Sequence, residues 1–251
     1  MISTRNVLIL SVLINSLATT ASADFIGLKL GASNWAPELT GTFSSGNTTI
    51  DLVGELGLDD PSSSSLQLIL EHPIPILPNI KYQNFELDSA GSSNILPADA
   101  ISFEGESYSG TVTSTFDLTH DDIVLYYEIL DNWINLDIGI DLKRFDGEIA
   151  LSDDSGATPT SVLIDETIPL FYLSARFDLP FSGFYIGADI NSISIGDSSA
   201  EDSTIKLGYI SESGIGIEGG YKKFSLKLDD ANNIDTNLEY DGVYLNGYIN
   251  F

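Results

Sequence analysis

Residues Ile134 to Lys143 constrain the fold more tightly than any other stretch. Ile134, Leu136, Ile138, Ile140 and Leu142 alternate with Asn135, Asp137, Gly139, Asp141 and Lys143. A period of two is a β-strand with a different environment on each face. One face is wholly apolar, and the other carries two aspartates and a lysine. A soluble sheet rarely turns such charges toward a concave interior, whereas the lumen of a transmembrane barrel does so routinely. About 9 residues of this pattern is also what a tilted strand needs to cross a bilayer.

The last ten residues, Gly242 to Phe251, repeat the pattern. Val243, Leu245, Ile249 and Phe251 share one face with small Gly247, opposite Tyr244, Asn246, Tyr248 and Asn250. A barrel closes its last strand on its first, so that no edge is left in lipid. Ending in mid-strand on an aromatic suits that closure. The face formed by Val243, Leu245, Gly247, Ile249 and Phe251 resembles the C-terminal signal that outer-membrane β-barrels present to their insertion machinery. The competing architecture is a soluble sandwich or lipocalin-like barrel.

Residues 1–23 read as a secretory signal. Arg5 precedes the short apolar run Val7 to Leu17, and Ala21-Ser22-Ala23 fits the small-x-small cleavage rule. The run is too short for a spanning helix. Residues 24–251 are therefore assigned to the barrel. The chain holds 10 Lys+Arg against 37 Asp+Glu, a formal charge of −27, which excludes nucleic acid as a partner. It has no cysteine, hence no disulfide framework and no thiolate metal site.

Between the ends the pattern predicts about ten strands: 25–33, 65–72, 80–87, 111–130, 133–151, 161–178, 184–195, 203–210, 215–228 and 236–251. Short turns at 73–79, 131–132, 180–183 and 211–214 alternate with longer polar segments. The longest are 35–64, with a short strand extension near 49–56, and 88–109. Short periplasmic turns and longer outer loops are the asymmetry of outer-membrane barrels. The expected fold is all-β, a transmembrane antiparallel up-and-down barrel. Eight or twelve strands stay open, because the loop ends are hard to bound. Phe25, Tyr127, Trp133, Phe177, Phe181, Phe184, Tyr209 and Phe251 cluster at the short-turn ends, as an interfacial girdle requires.

Lys29, Lys81, Glu128, Asp137, Asp141, Lys143, Arg176, Asp189, Lys206, Glu218 and Lys222 fall on inward parity. A barrel of about ten strands has little spare interior. The expectation is a largely filled, salt-bridged lumen and a non-enzymatic structural or interaction role. The alternative is a narrow passive pore for small solutes or ions. A second alternative, an outer-rim hydrolase, rests on His120 beside Asp121 and Asp122. No nucleophile turn accompanies it, and no catalytic, cofactor or metal residue is assigned. The acidic pairs Asp59-Asp60, Asp153-Asp154, Glu201-Asp202 and Asp229-Asp230 are expected in outer loops, facing lipid and lipopolysaccharide. Divalent cations are the partners they would take there, although none has EF-hand spacing.

One local irregularity stands out. Ile215 and Ile217 share one parity, and Phe224, Leu226 and Leu228 the other. A β-bulge at Gly219–Lys223 would reconcile them, since glycine tolerates bulge dihedrals. Alternatively, Gly219 and Gly220 make room for a neighbour. The segment Ile215 to Asp230, with its Gly219-Gly220 pair, is similar to the signature of a predicted outer-membrane β-barrel family named for that pair. The closing strand from Leu238 and the stretch Leu125 to Trp133 resemble it as well. The resemblance implies a Gram-negative outer-membrane location and no established activity.

Overall fold

The computed structural model describes residues 26–45, 48–231 and 234–251. The predicted signal at 1–23 and the girdle residue Phe25 lie outside them. The strands are β1 (Gly27–Ser45), β2 (Thr48–Asp51), β3 (Ser63–Glu71), β4 (Asn79–Phe85), β5 (Asp88–Ile95), β6 (Ile101–Phe103), β7 (Glu106–Tyr108), β8 (Gly110–Asp117), β9 (His120–Asp131), β10 (Ile134–Phe145), β11 (Gly147–Ser152), β12 (Thr160–Ile164), β13 (Thr167–Asp178), β14 (Phe184–Ile195), β15 (Ser198–Ile210), β16 (Ile215–Ala231) and β17 (Ile234–Asn250). Ten of them, β1, β3, β4, β9, β10 and β13 to β17, form a closed antiparallel barrel. Closure is β17 against β1, from Lys29↔Asn250 to Ser45↔Ile234. β2 is an extra strand on the end of β1.

The outer wall of the barrel's lower part is apolar. Leu68, Leu125, Ile138, Ile140, Leu173, Ile186, Ile205, Ile217, Val243 and Leu245 are all exposed on it. Trp133, Phe181, Phe184, Tyr209 and Phe251 lie exposed at the short-turn end of this belt. At the other edge, Tyr82 donates to Asp121 (2.8 Å) and Tyr221 donates to Asp241. Aromatic rims with polar tips suit the two faces of a bilayer.

Above those tyrosines the pattern inverts. On β1, polar Lys29, Gly31 and Ser33 face in at the lower end; further along, Trp35, Pro37, Leu39 and Phe43 face in and are buried. On β16, Glu218 and Lys222 give way to Phe224 and Leu226, and on β17 the deep positions are Tyr240 and Leu238. Strands β4, β9, β10 and β13 each continue, after a short break, into β5, β8, β11 and β12. These four form their own sheet in the same lateral order. It faces the extended ends of β1, β16 and β17 across one core containing Phe43, Leu52, Phe103, Val112, Phe116, Ile149, Phe224 and Tyr240. The barrel thus grows, beyond its lipid belt, into a two-sheet sandwich that seals the long-loop end.

This architecture corrects several expectations. Residues 35–45 extend the first strand instead of opening a loop, and 88–109 contain β5, β6 and β7. Glu201 and Asp202 lie within β15, and Asp229 within β16. No bulge occurs at Gly219 and Gly220: β16 keeps unbroken register with β15 from Lys227 to Gly216, and with β17 from Ile215 to Leu228. The parity change read there is real, but the environment inverts while the strand does not. The registers slip instead where Leu136 faces Leu130 and Asp137 faces Glu128, leaving Ile129 as the extra residue, and again between Leu228 and Ala231.

Candidate functional site

Strand alternation points polar side chains of all ten barrel strands into the lower lumen. They enclose a cavity of about 390 Å³. Its lining includes Lys29, Asp137, Arg176, Asp189, Lys206 and Glu218, six of the charges assigned to the lumen, and runs down to Asp131, Asn132 and Asn250 at the short-turn end. Asp141 also faces inward but is fully buried, where it accepts from Asn191 Nδ2 at 3.1 Å. The lower lumen is therefore a cavity and not the filled plug expected. The filling lies above it: a layer of buried salt bridges and, beyond that, the apolar core of the sandwich.

The ceiling of the cavity is built from Trp35, Phe85, Asp122, Asp202 and Lys222, with Lys143 behind it. Lys143 Nζ donates to Asp122 at 2.7 Å and to Asp202 at 3.2 Å, and Lys222 donates to Asp202. The Lys222 ammonium also lies 4.6 Å from the Phe85 ring centroid. Trp35 is fixed by a hydrogen bond from Nε1 to the Gly242 carbonyl at 3.3 Å. Charges buried this deeply persist only when paired. The network joins β9, β10, β15 and β16 across the lumen at the level where the apolar core begins.

His120 sits just above this layer, 2 % exposed, among the rings of Phe85, Phe145 and Phe224. Its Nδ1 lies 2.8 Å from the Leu118 carbonyl, and Asp121 points outward to Tyr82. The dyad expected at the outer rim is not found there: His120 is buried, Asp121 points away from it, and Asp122, which does lie beside it, is buried and paired with Lys143. Ligand atoms of His120, Asp122 and Asp202 lie within 4.8 Å of one another. The two lysine ammoniums already neutralise the carboxylates, so the set does not fit a divalent cation.

Tyrosines carry much of the lumen's hydrogen bonding: Tyr244 and Tyr248, on the polar face of the closing strand, are joined by Tyr185 of β14, which the sequence reading leaves unassigned. Tyr185 donates to Glu218 at 2.8 Å, Tyr244 donates to Glu218 at 2.9 Å, and Tyr248 donates to Tyr185 at 3.0 Å. Their signal was present: each shares inward parity with a charged or amide neighbour on its own strand. Three carboxylates of the outer loops are held by backbone amides distant in sequence. Asp60 accepts from the Leu39 amide at 2.8 Å, Asp153 from Ser109 at 2.8 Å and Asp154 from Thr111 at 2.8 Å.

No protein-family model matches the chain, so the likeness to the Gly-Gly family gains no support there. No curated protein matches either. Among solved structures, the toluene transporter TodX of Pseudomonas putida is 10% identical, with 91% of this chain and 90% of that chain covered and a TM-score of 0.36. The monoaromatic hydrocarbon channel CymD is 10% identical, covering 92% and 89%, at 0.31. OccAB3 of Acinetobacter baumannii is 8% identical, covering 90% and 98%, at 0.26. At such scores the likeness carries no argument about cargo or mechanism.

Proposed function

We propose that this chain is an outer-membrane channel for small polar solutes, exported by its N-terminal signal and closed in this conformation at the long-loop end. The observation that carries the reading is the polar cavity of about 390 Å³ inside a closed barrel with an apolar outer belt. Gln67 Oε1, Asn191 Oδ1 and Asn246 Oδ1 are buried there without a partner among the described residues. Buried acceptors of this kind are satisfied by water or a polar solute. An apolar constriction above a wet lumen is a gate of the dewetting type. No catalytic step is assigned to the barrel. Its outer belt takes lipid, and its polar long-loop surface faces lipopolysaccharide.

A second reading is favoured by the continuous core over the cavity: a non-conducting barrel that presents the sandwich to a partner. Single-channel recording in planar bilayers separates the two. The channel reading expects brief openings in the wild type and longer ones in Phe224→Ser, which places a hydroxyl in the constriction. Silence from both proteins, each shown folded by heat-modifiable gel mobility, overturns it in favour of the second.

A further inference from the structure

We infer that the lumen binds small zwitterionic solutes. The inference rests on the solute-compartment reading above. Its observation is the way the lumen charges are sorted. Glu71 on β3, Glu128 on β9 and Asp137 on β10 form one group. Asp137 stands opposite Glu128 in register, and both feel the charge of Glu71. Tyr126 donates to Glu71 at 2.9 Å, and Asn79 Nδ2 donates to Glu128 at 3.3 Å. Among the described residues, none of these three carboxylates has a Lys or Arg nitrogen within 4.0 Å.

The second group holds the cations, with Asp178, Asp189 and Glu218 among them. Lys206 is paired with Asp189 at 2.6 Å, and Arg176 is paired with Asp178. Lys29 and Lys81 have no carboxylate oxygen within 4.0 Å among the described residues. Their ammoniums lie instead near aromatic faces, Lys29 at 3.8 Å from the Tyr248 centroid and Lys81 at 5.6 Å from that of Tyr172. Lys29 and Lys81 flank Ile69 in one row of the sheet, and Glu71 lies one inward position further along β3.

A lumen that needed only filling would bring these opposite charges together, because unpaired charges in a low-dielectric interior are costly. Here two lysines and three carboxylates lining one cavity have no ion-pair partner within 4.0 Å among the described residues, and neutral donors or rings hold them instead. A solute carrying both signs satisfies both sets at once. A neutral polyol satisfies neither, and a simple anion meets Lys29 and Lys81 but faces the acids. The cavity, at the small end of ligand pockets (roughly 300–1,000 Å³), suits a molecule of amino-acid size. Its anionic end would meet Lys29 and Lys81, with its cationic end toward Glu71, Glu128 and Asp137.

The test is equilibrium dialysis of labelled glutamine against the refolded barrel in detergent, with labelled sorbitol, acetate and ethylammonium as comparisons. Saturable binding of glutamine alone is expected. Lys29→Met and Glu128→Gln should each weaken it roughly tenfold or more, while Lys29→Arg keeps it. Heat-modifiable mobility checks that every variant is folded. Sorbitol binding as well as glutamine, or a folded barrel that retains no glutamine, overturns the inference. Conductance of the same preparations keeps the two proposals apart. A conducting barrel that ignores glutamine sinks only the zwitterion site, and a silent barrel that binds it sinks only the channel.

Discussion

Gly219 and Gly220 are adjacent yet carry different constraints. A Cβ on Gly220 would lie 2.0 Å from the Ile205 carbonyl oxygen, whereas one on Gly219 would find its nearest neighbour, Tyr244 O, at 3.5 Å. Gly220 is required by the close approach of β15, and Gly219 is not. Gly220→Ala is expected to destabilise the barrel by about 1–3 kcal/mol, and Gly219→Ala to stay within about 0.5 kcal/mol. Urea midpoints followed by heat-modifiable mobility check both. Lys143 makes a second case. It is fully buried between Asp122 and Asp202, and Asp202 also holds Lys222. Lys143→Met leaves the Asp122 carboxylate without its ammonium and should cost about 3–5 kcal/mol. The same urea series reads it, and a loss below 1 kcal/mol would contradict the pairing. The inward direction of Lys143 was legible from parity alone. Its partner was not: Asp202 lies 59 residues away on β15, three places round the barrel from β10, in an acidic stretch with the composition of a loop.

At the level of elements, the barrel strands were legible because lipid outside and water inside impose a strict period of two. The long segments were not, because that rule stops where the lipid stops. Beyond it, Trp35, Leu39, Phe43, Phe224 and Leu226 point inward while Glu38, Lys223 and Glu239 point outward. The alternation survives with its sign reversed, so a strand read for outward apolar residues reads as ending or slipping. The loop between β11 and β12 fixes one edge of this sandwich through its acids. Asp153 accepts from the Ser155 hydroxyl at 2.7 Å and from the Ser109 and Ala157 amides at 2.8 and 3.2 Å. These donors, the Ser155 hydroxyl first, hold its carboxyl below the usual 3.8, and the Thr111 amide does the same for Asp154. A lowered carboxylate value adds stability above the ordinary value and loses it as pH falls through the lowered one. Hydrogen exchange at Ser109 and Thr111 should therefore be slow at pH 5 to 7 and lose protection, relative to the intrinsic rate, once the pH drops below about 4. Asp153→Asn should lower the protection of Ser109 at neutral pH and remove its acid step. An acid step unchanged in that variant would detach it from Asp153.

For the whole molecule, the inversion marks where hydrocarbon ends. Ile138 and Thr40 both point outward, yet Ile138 lies mid-belt among apolar neighbours and Thr40 stands beyond the Tyr82 and Tyr221 rim, paired with Glu239. In lipid, an arginine at mid-depth of a barrel wall costs about 2–4 kcal/mol, falling to about 0–1 kcal/mol near the interface. Ile138→Arg should therefore lower folding stability in bilayer vesicles by about that larger amount, and Thr40→Arg by the smaller. The comparison becomes decisive when repeated in detergent micelles, which adapt to a charge more readily than a bilayer. The difference between the two variants should shrink there if the belt is a lipid contact. A difference of the same size in both media would mean that Ile138 is held by protein packing. The apolar belt would then need a protein surface, and not hydrocarbon, as its natural neighbour.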